Sequence, residues 1–211
     1  DDINVEASLQ FTDGFKEHLF AFANNIVNPG GGTHVTGFKM ALTRVLNDYA
    51  KKNNLIREKE GAFTADDLKE GLTAVVSVKL RNPQFEGQTK DKLNNSEVRG
   101  AVQQVVTEGL NDFLETHPAD AKLMIEKCLL TVRARIAARA AKDAGMKYVV
   151  FVTKHHDGFN NYDTQLSDYR ITSPESPFSR HSRADLTQAV IEAFRAEGLA
   201  IGLYYSHIDW H

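Results

Sequence analysis

Residues 30–46 read GGGTHVTGFKMALTRVL, a glycine-rich break followed at once by an amphipathic segment. Apolar residues recur at positions 38, 41, 42, 45, 46 and 49, the spacing of one helix face, which predicts a helix over 35–52. The three glycines lack the lysine and the spacing of a P-loop, so we interpret them as a turn, with Thr33 as a candidate N-cap. His34 is expected to be a structural hydrogen-bonding residue.

Strands are predicted on both sides of this helix. Residues 3–11 alternate apolar and polar positions, which is typical of a strand with one buried face. Asp13-Gly14 is a turn signal, and a second strand over 19–27 would complete a hairpin with the first. Residues 72–80 are rich in β-branched residues and predict a buried strand, and 81–92 predict a long loop.

Three more helices are predicted in the first two thirds of the chain. Thr64 is expected to cap a short helix that ends at Glu70. Asn95 or Ser96 is expected to cap the next, and a last one begins near Ala119. The predicted apolar face of the second is Val98, Val102, Val105, Val106, Leu110 and Phe113, and that of the third is Leu123, Ile125, Leu129, Val132, Ile136 and Ala140.

The character of the chain changes after Gly145. Residues 148–152 form a continuous apolar run, which predicts a parallel strand buried on both faces. A long loop over 154–183, a helix over 184–197 and a second buried strand over 199–205 follow. Together these segments predict one β-loop-α-β unit.

Composition excludes some classes of protein. The net charge is −3, so the chain as a whole is not built to attract nucleic acid, and any DNA contact needs a local patch. Cys128 is the single cysteine, so no internal disulfide can form. No run of 18 apolar residues is present, so we expect no membrane span.

The first part resembles the B-type subunits of DNA gyrase and of topoisomerase IV. The resemblance is carried by GGTHVTGFK at 31–39, EGLTAVVSV at 70–78, NPQFEGQTK at 82–90 and NSEVR at 95–99. It covers residues 1–140 and implies a ribosomal-S5-like transducer domain, an α+β fold with a long C-terminal helix. By this resemblance the chain would work in the cytoplasm with DNA and a gyrase A-type subunit.

The same resemblance implies site residues. Gln88 and Lys90 would reach bound ATP, with Lys90 touching the γ-phosphate; the alternative is a solvated loop lysine. Arg44 would face the cavity through which DNA passes, and the alternative is a surface helix arginine. The ATP pocket with its magnesium ligands is expected before residue 1, and the cleavage domain after the first part.

The second part, 141–211, resembles the retaining α-L-fucosidases. TKHHDGF at 153–159 and GLYYS at 202–206 carry the likeness, which implies an incomplete β-α-β piece of a (β/α)₈ barrel. His155, His156 and Tyr204 would bind fucose of a fucosylated glycan, with no cofactor, in a family whose members are often exported.

A metal at the paired histidines is disfavoured because neighbouring strand residues point to opposite faces and no third ligand is visible. Retaining hydrolysis needs two carboxyl groups, which the resemblance places beyond His211. Asp157 and Asp209 are interpreted as loop-capping carboxylates, so no catalytic residue is assigned in either part.

The two likenesses meet at a junction over 139–143, where alanine-rich sequence allows one continuous helix. The leading hypothesis is a non-catalytic composite that carries a topoisomerase transducer. The alternatives are a fucosidase fragment that binds fucose, and an artificial or misassembled chimera without activity. The shorter part supplies two barrel strands and is expected to be unstable alone.

Overall fold

In the computed structural model the chain forms two units, Asp1–Cys128 and Leu129–His211. The structure describes residues 3–12, 16–57, 61–176, 179 and 184–207. The predicted turn at Asp13-Gly14 and the interpretation of Asp209 lie outside these residues. The described part mixes helices and strands, and the predicted α+β class is confirmed. None of the described helices combines the length and the apolar character that a membrane crossing requires.

A four-stranded sheet forms the centre of the first unit. Its strands are β1 (Asn4–Phe11), β2 (His18–Ala23), β3 (Ile26–Val27) and β5 (Leu72–Lys79), while β4 (Gly31–Gly32) belongs to a second sheet. The order is β1-β5-β2-β3, in which β5 lies antiparallel to β1 and parallel to β2. Side chains of β5 alternate between buried and more exposed, as one covered face requires.

The predicted hairpin between the first two strands is wrong. β5 inserts between them, because its run of small and β-branched residues forms the most buried strand and pairs on both edges. The tight hairpin is instead β2–β3, where Asn24 and Asn25 both adopt positive φ, 50° and 65°. Two residues at positive φ match the twist of the flanking strands, and asparagine tolerates this conformation well.

Two long helices cover one face of this sheet. They are α1 (Thr33–Lys52) and α2 (Ser96–Thr116), which pack on each other and against β5 and β1. Helix α1 begins after Gly32, so Thr33 is not its N-cap as the sequence suggested. Its large apolar side chains Phe38, Leu42, Val45 and Leu46 are fully buried, as the helical spacing predicted.

Two predictions about helices of the first unit are wrong. Val105 and Phe113 are 42% and 37% exposed, and Leu114 is fully buried in their place, because the face in contact with α1 follows the line from Val98 to Leu114. The short helix predicted from Thr64 is only a hydrogen-bonded turn. Asp67 accepts bonds from both the amide and the hydroxyl of Thr64, at 2.7 Å each, which closes the turn.

Helix α3 (Pro118–Asp143) is one uninterrupted helix, so the continuous helix predicted through 139–143 is confirmed. Its predicted apolar side is only partly right. Ile125, Leu129 and Val132 are buried, whereas Leu123 is 66% and Ile136 37% exposed and Ala140 is exposed. A single face does not stay covered over 26 residues.

The second unit contains a two-stranded parallel sheet, β8 (Tyr148–Lys154) and β9 (Ala200–Tyr205), with α4 (Leu186–Ala196) packed on it. Asp185 caps α4 by accepting a bond from the amide of Gln188 at 2.9 Å. The prediction that these strands are buried on both faces is wrong. Tyr148 and Val150 are 66% and 56% exposed, because among the described elements α4 covers one face of the sheet only.

Candidate functional site

The segment predicted as a long loop over 81–92 contains a small hairpin. Strands β6 (Phe85–Glu86) and β7 (Lys92–Leu93) pair antiparallel and present residues 87–91 at their tip. Strand β4 joins β7 in parallel, with Gly31 opposite Lys92 and Gly32 opposite Leu93. The tip carrying Gln88 and Lys90 is therefore tied to the segment that leads directly into α1.

Lys90 has an unusual backbone conformation at this tip. Its φ is 57°, in the left-handed region that an L-residue other than glycine adopts at a cost. Its carbonyl accepts a hydrogen bond of 2.7 Å from Nδ2 of the buried Asn28, 62 residues earlier. The side chain is exposed, and its Nζ lies 5.9 Å from the centroid of the Phe85 ring. Gln88 is exposed beside it.

The base of the hairpin is fastened by buried side chains and close backbone packing. Asn95 Oδ1 accepts from the Gln84 amide at 2.6 Å, and Asn95 Nδ2 donates to the Asn82 carbonyl at 3.1 Å. At Gly32 a Cβ would lie 2.2 Å from the Leu93 carbonyl oxygen, so only glycine fits. The sequence predicted that the glycine triplet forms a turn. The Gly31 amide does close a turn by donating to the Asn28 carbonyl, but Gly31 and Gly32 also form a strand paired with β7.

His34 lies at the start of α1 and is fully buried. In the part of the chain that the structure describes, neither ring nitrogen has a hydrogen-bond partner, so the expected structural hydrogen bond is not found. Burial lowers the pKa of His34 from 6.5 to about 4, because a charged imidazolium would lose its hydration there. The side chain is therefore neutral at pH 7.

Arg44 lies about three helical turns after Thr33, the first residue of α1, which is roughly 16 Å along the helix axis. Its side chain is 66% exposed and its Nε is 3.7 Å from Asp48 Oδ2. It borders an open groove of about 560 Å³ that Val35, Met40 and Gln103 also line. The structure does not bring Arg44 together with Gln88 and Lys90.

The three residues predicted to bind fucose are neighbours in the second unit. The ring centroids of His155 and His156 are 4.6 Å apart, and those of His155 and Tyr204 are 6.2 Å apart. Ser206 and His156 Nδ1 form a hydrogen bond, and Thr153 Oγ1 donates to the Tyr204 carbonyl at 2.9 Å. The cluster lies at the C-terminal ends of β8 and β9, where barrel enzymes bind ligands.

The sequence suggested that the two histidines point to opposite faces of a strand. The structure does not show this arrangement. Both residues follow the end of β8, and their rings lie side by side. Among the described residues, no group of three or more His, Cys, Asp or Glu could hold a metal ion. Asp157 accepts a bond of 3.2 Å from the Phe159 amide within the same loop.

Comparison with known families covers the first unit and its hairpin. The sequence model of the DNA gyrase B family matches residues 1–144. The chain belongs to the DNA gyrase B family. This gyrase B-family chain is 54% identical over 140 residues to the gyrase B protein of Clostridium acetobutylicum, a match to 66% of the chain and 22% of the relative. It thus spans about a fifth of that relative's length.

Solved structures agree for the gyrase B-like part. The 43K ATPase domain of Thermus thermophilus gyrase B, in complex with an aminocoumarin, has a TM-score of 0.63 at 49% identity. It covers 68% of this chain, and the chain covers 38% of that domain. The likeness confirms the predicted gyrase resemblance and fold.

A second family matches the rest of the chain. The model described as Alpha-L-fucosidase matches residues 133–211, so the two matches share 133–144. Alpha-L-fucosidase isoenzyme 1 from Paenibacillus thiaminolyticus is 51% identical over 37% of this chain and 17% of its own, at a TM-score of 0.33. The two family models thus support a chain of two parts, one of the gyrase B family and one similar to the fucosidases. The junction at 139–143 lies inside the shared range and stays a prediction.

Asn28 and Asn95 were not found from the sequence as residues of this site. Asn28 precedes Pro29-Gly30, a pattern that signals a turn but gives no partner. Asn95 was identified only as a helix cap, yet its side chain bonds the hairpin instead. In both cases the partner is a backbone group far from the residue or in another element, which no local pattern reveals.

Proposed function

We propose that the gyrase B-like part is a transducer that senses the terminal phosphate of ATP through Lys90, with Gln88 beside it. The observation that supports this is the conformation of Lys90, a strained and exposed lysine. Asn28 holds its carbonyl, while its ammonium lies at the surface beside the Phe85 ring. Strained backbone of this kind is concentrated at ligand-binding positions. A lysine ammonium is a compact charge suited to a phosphate oxygen.

The described residues fit only part of an ATP site. The exposed tip supplies one cation and one amide side chain, enough to contact a terminal phosphate. No group of carboxylates and histidines suited to a metal ion is present in the described part of the chain, so we assign no magnesium ligands to it. Loss of the terminal phosphate would release the hairpin tip and relax its link to α1.

The test supplies an ATP-binding partner in trans. The portion of the Thermus 43K ATPase domain that this chain does not match is mixed with the purified chain, and ATP hydrolysis is measured. We expect hydrolysis to rise on mixing and the rise to be lost with Lys90→Ala. Lys92→Ala is the matched control, because Lys92 lies in the same hairpin with its Nζ 3.0 Å from Glu86 Oε2. Equal rates for the Lys90→Ala and wild-type chains would contradict the proposal.

We further propose that Arg44 contacts DNA phosphate when the gyrase-like part acts with DNA and a partner protein. Its 66% exposure at the edge of the groove that Val35, Met40 and Gln103 also line supports this role. Each phosphate contact contributes a slope of about −0.9 to the dependence of log affinity on log salt. Arg44→Ala is expected to make the slope of log affinity against log salt less negative by about 1. Arg99 is an exposed arginine on α2, and Arg99→Ala is expected to leave that slope unchanged.

The second candidate is fucose recognition by the other part without hydrolysis. The cluster of His155, His156 and Tyr204 rings supports it, since an imidazole can hydrogen-bond a sugar hydroxyl and aromatic faces can stack on the ring. In an NMR titration, free fucose is expected to shift the resonances of these residues, and the His155→Ala substitution is expected to abolish those shifts. His117→Ala, in the first unit, is the control. Identical titrations of wild-type and His155→Ala protein would contradict this role.

A further inference from the structure

We infer that Asn28 is a positioning residue that holds Lys90 in its left-handed conformation, so that the hairpin tip is ordered before any phosphate arrives. This inference rests on the proposed function of Lys90. The buried side-chain amide of Asn28, which lies outside the hairpin tip, would fix the position of the Lys90 backbone and so of its ammonium group.

Asn28 is itself rigidly placed. It is 2% exposed and follows β3 directly. Its backbone amide donates to the Ala21 carbonyl at 2.8 Å, and its carbonyl accepts from the Gly31 amide at 2.9 Å. Both bonds anchor the residue to its surroundings, so the side-chain carboxamide has a fixed origin.

The orientation of that carboxamide follows from its partner. The Lys90 carbonyl can only accept, so Nδ2 must face it, and the amide oxygen then points elsewhere. Asn28 Oδ1 is buried, and within the described residues it has no hydrogen-bond partner. A buried acceptor left unpaired opposes folding, so stability alone does not explain an asparagine here. The bond to Lys90 does explain it.

The contact acts where backbone strain needs support. A lysine at φ 57° would relax to negative φ if nothing held it. Next to it the Gly30 amide donates to the Asp91 carbonyl at 2.9 Å, so the two bonds form a short latch along the hairpin. We call these two bonds, Asn28 to Lys90 and Gly30 to Asp91, the hairpin latch.

The hairpin latch can be tested on the intact chain without ATP. Hydrogen exchange of the Gly30 amide reports whether the hairpin is docked. Losing one net hydrogen bond corresponds to about a five-fold change in a local opening equilibrium, so Asn28→Ala is expected to speed Gly30 exchange about five-fold. Asn24→Ala is the matched control, because Asn24 makes bonds of 2.8 and 2.9 Å with the Leu80 backbone, away from the tip.

A double-mutant cycle separates positioning from general destabilisation. Glycine adopts positive φ readily, so in a Lys90→Gly background Asn28→Ala should speed Gly30 exchange clearly less than five-fold. The effect of Asn24→Ala should be the same in both backgrounds. Equal effects of Asn28→Ala in both backgrounds, or no effect in either, would overturn the inference.

ATP hydrolysis, measured after mixing with the Thermus ATPase portion, distinguishes a failure of the Asn28 inference from a failure of the function proposed for Lys90. If Lys90→Ala does not change hydrolysis, the phosphate role of Lys90 is wrong and so is the purpose given to the latch. If Lys90→Ala abolishes the stimulation and Asn28→Ala raises KM for ATP about five-fold with kcat unchanged, both are supported. If Lys90→Ala abolishes stimulation and Asn28→Ala changes neither KM nor Gly30 exchange, only the positioning role of Asn28 is overturned.

Discussion

Lowering the pH from 7 to 5 is expected to destabilise the first unit through His34. The ring is fully buried, and burial lowers its pKa from 6.5 to about 4. In the unfolded chain the same ring titrates near 6.5. Between these two values the unfolded state binds more protons than the folded state, so the free energy of unfolding falls as the pH falls.

The magnitude follows from the two pKa values. Linkage gives a loss of about 2 kcal/mol between pH 7 and pH 5, and roughly 3 kcal/mol once the pH is below 4. Such a loss is a large share of the stability of a small domain. Other groups titrate as well, so the quantity to compare is the pH dependence of the wild-type protein minus that of His34→Leu.

Urea unfolding followed through the methyl resonances of Val76 and Val78 measures this unit alone, because both side chains are buried in β5. Between pH 7 and pH 5 the free energy of unfolding of the wild type is expected to fall by about 2 kcal/mol more than that of His34→Leu. Thr33→Val is the control, since it removes a neighbouring buried hydroxyl that does not titrate. Parallel pH curves for wild type and His34→Leu would refute the reasoning.

Three other predictions rest on backbone geometry and burial. Gly32→Ala is expected to lower the free energy of unfolding by about 3 kcal/mol in urea titrations, because a Cβ would lie 2.2 Å from the Leu93 carbonyl oxygen. Gly109→Ala, with no atom within 4 Å of the new Cβ, should instead raise it by about 0.5–1 kcal/mol, and a loss at Gly109 would contradict this contrast. Burial raises the pKa of the Cys128 thiol to about 12, so a maleimide should label it only after denaturant opens the fold, and fast labelling of the native protein would disprove this. Lys90→Gly relieves left-handed strain and should stabilise the first unit by about 0.5–1 kcal/mol while removing the proposed phosphate contact; unchanged or reduced stability would argue against strain at this residue.

Local patterns in the sequence predicted most elements of this protein. The helix over 33–52 and the strands over 4–11 and 72–79 were found because their side chains repeat every 3.6 or two residues. The change of character after Gly145 also marked the part that is similar to the fucosidases. The sequence motifs identified Lys90, Gln88, His155 and His156 as candidate residues, but only as members of separate loops.

The tertiary structure decided which segments meet. The insertion of β5 between β1 and β2 was invisible to the sequence, because every strand with an alternating pattern offers the same backbone groups on both edges. The same holds for the bond from Asn28 to Lys90, which joins residues 62 positions apart. Periodicity records which side of a segment is buried. It does not record which neighbour buries it, and that choice depends on packing across the whole unit.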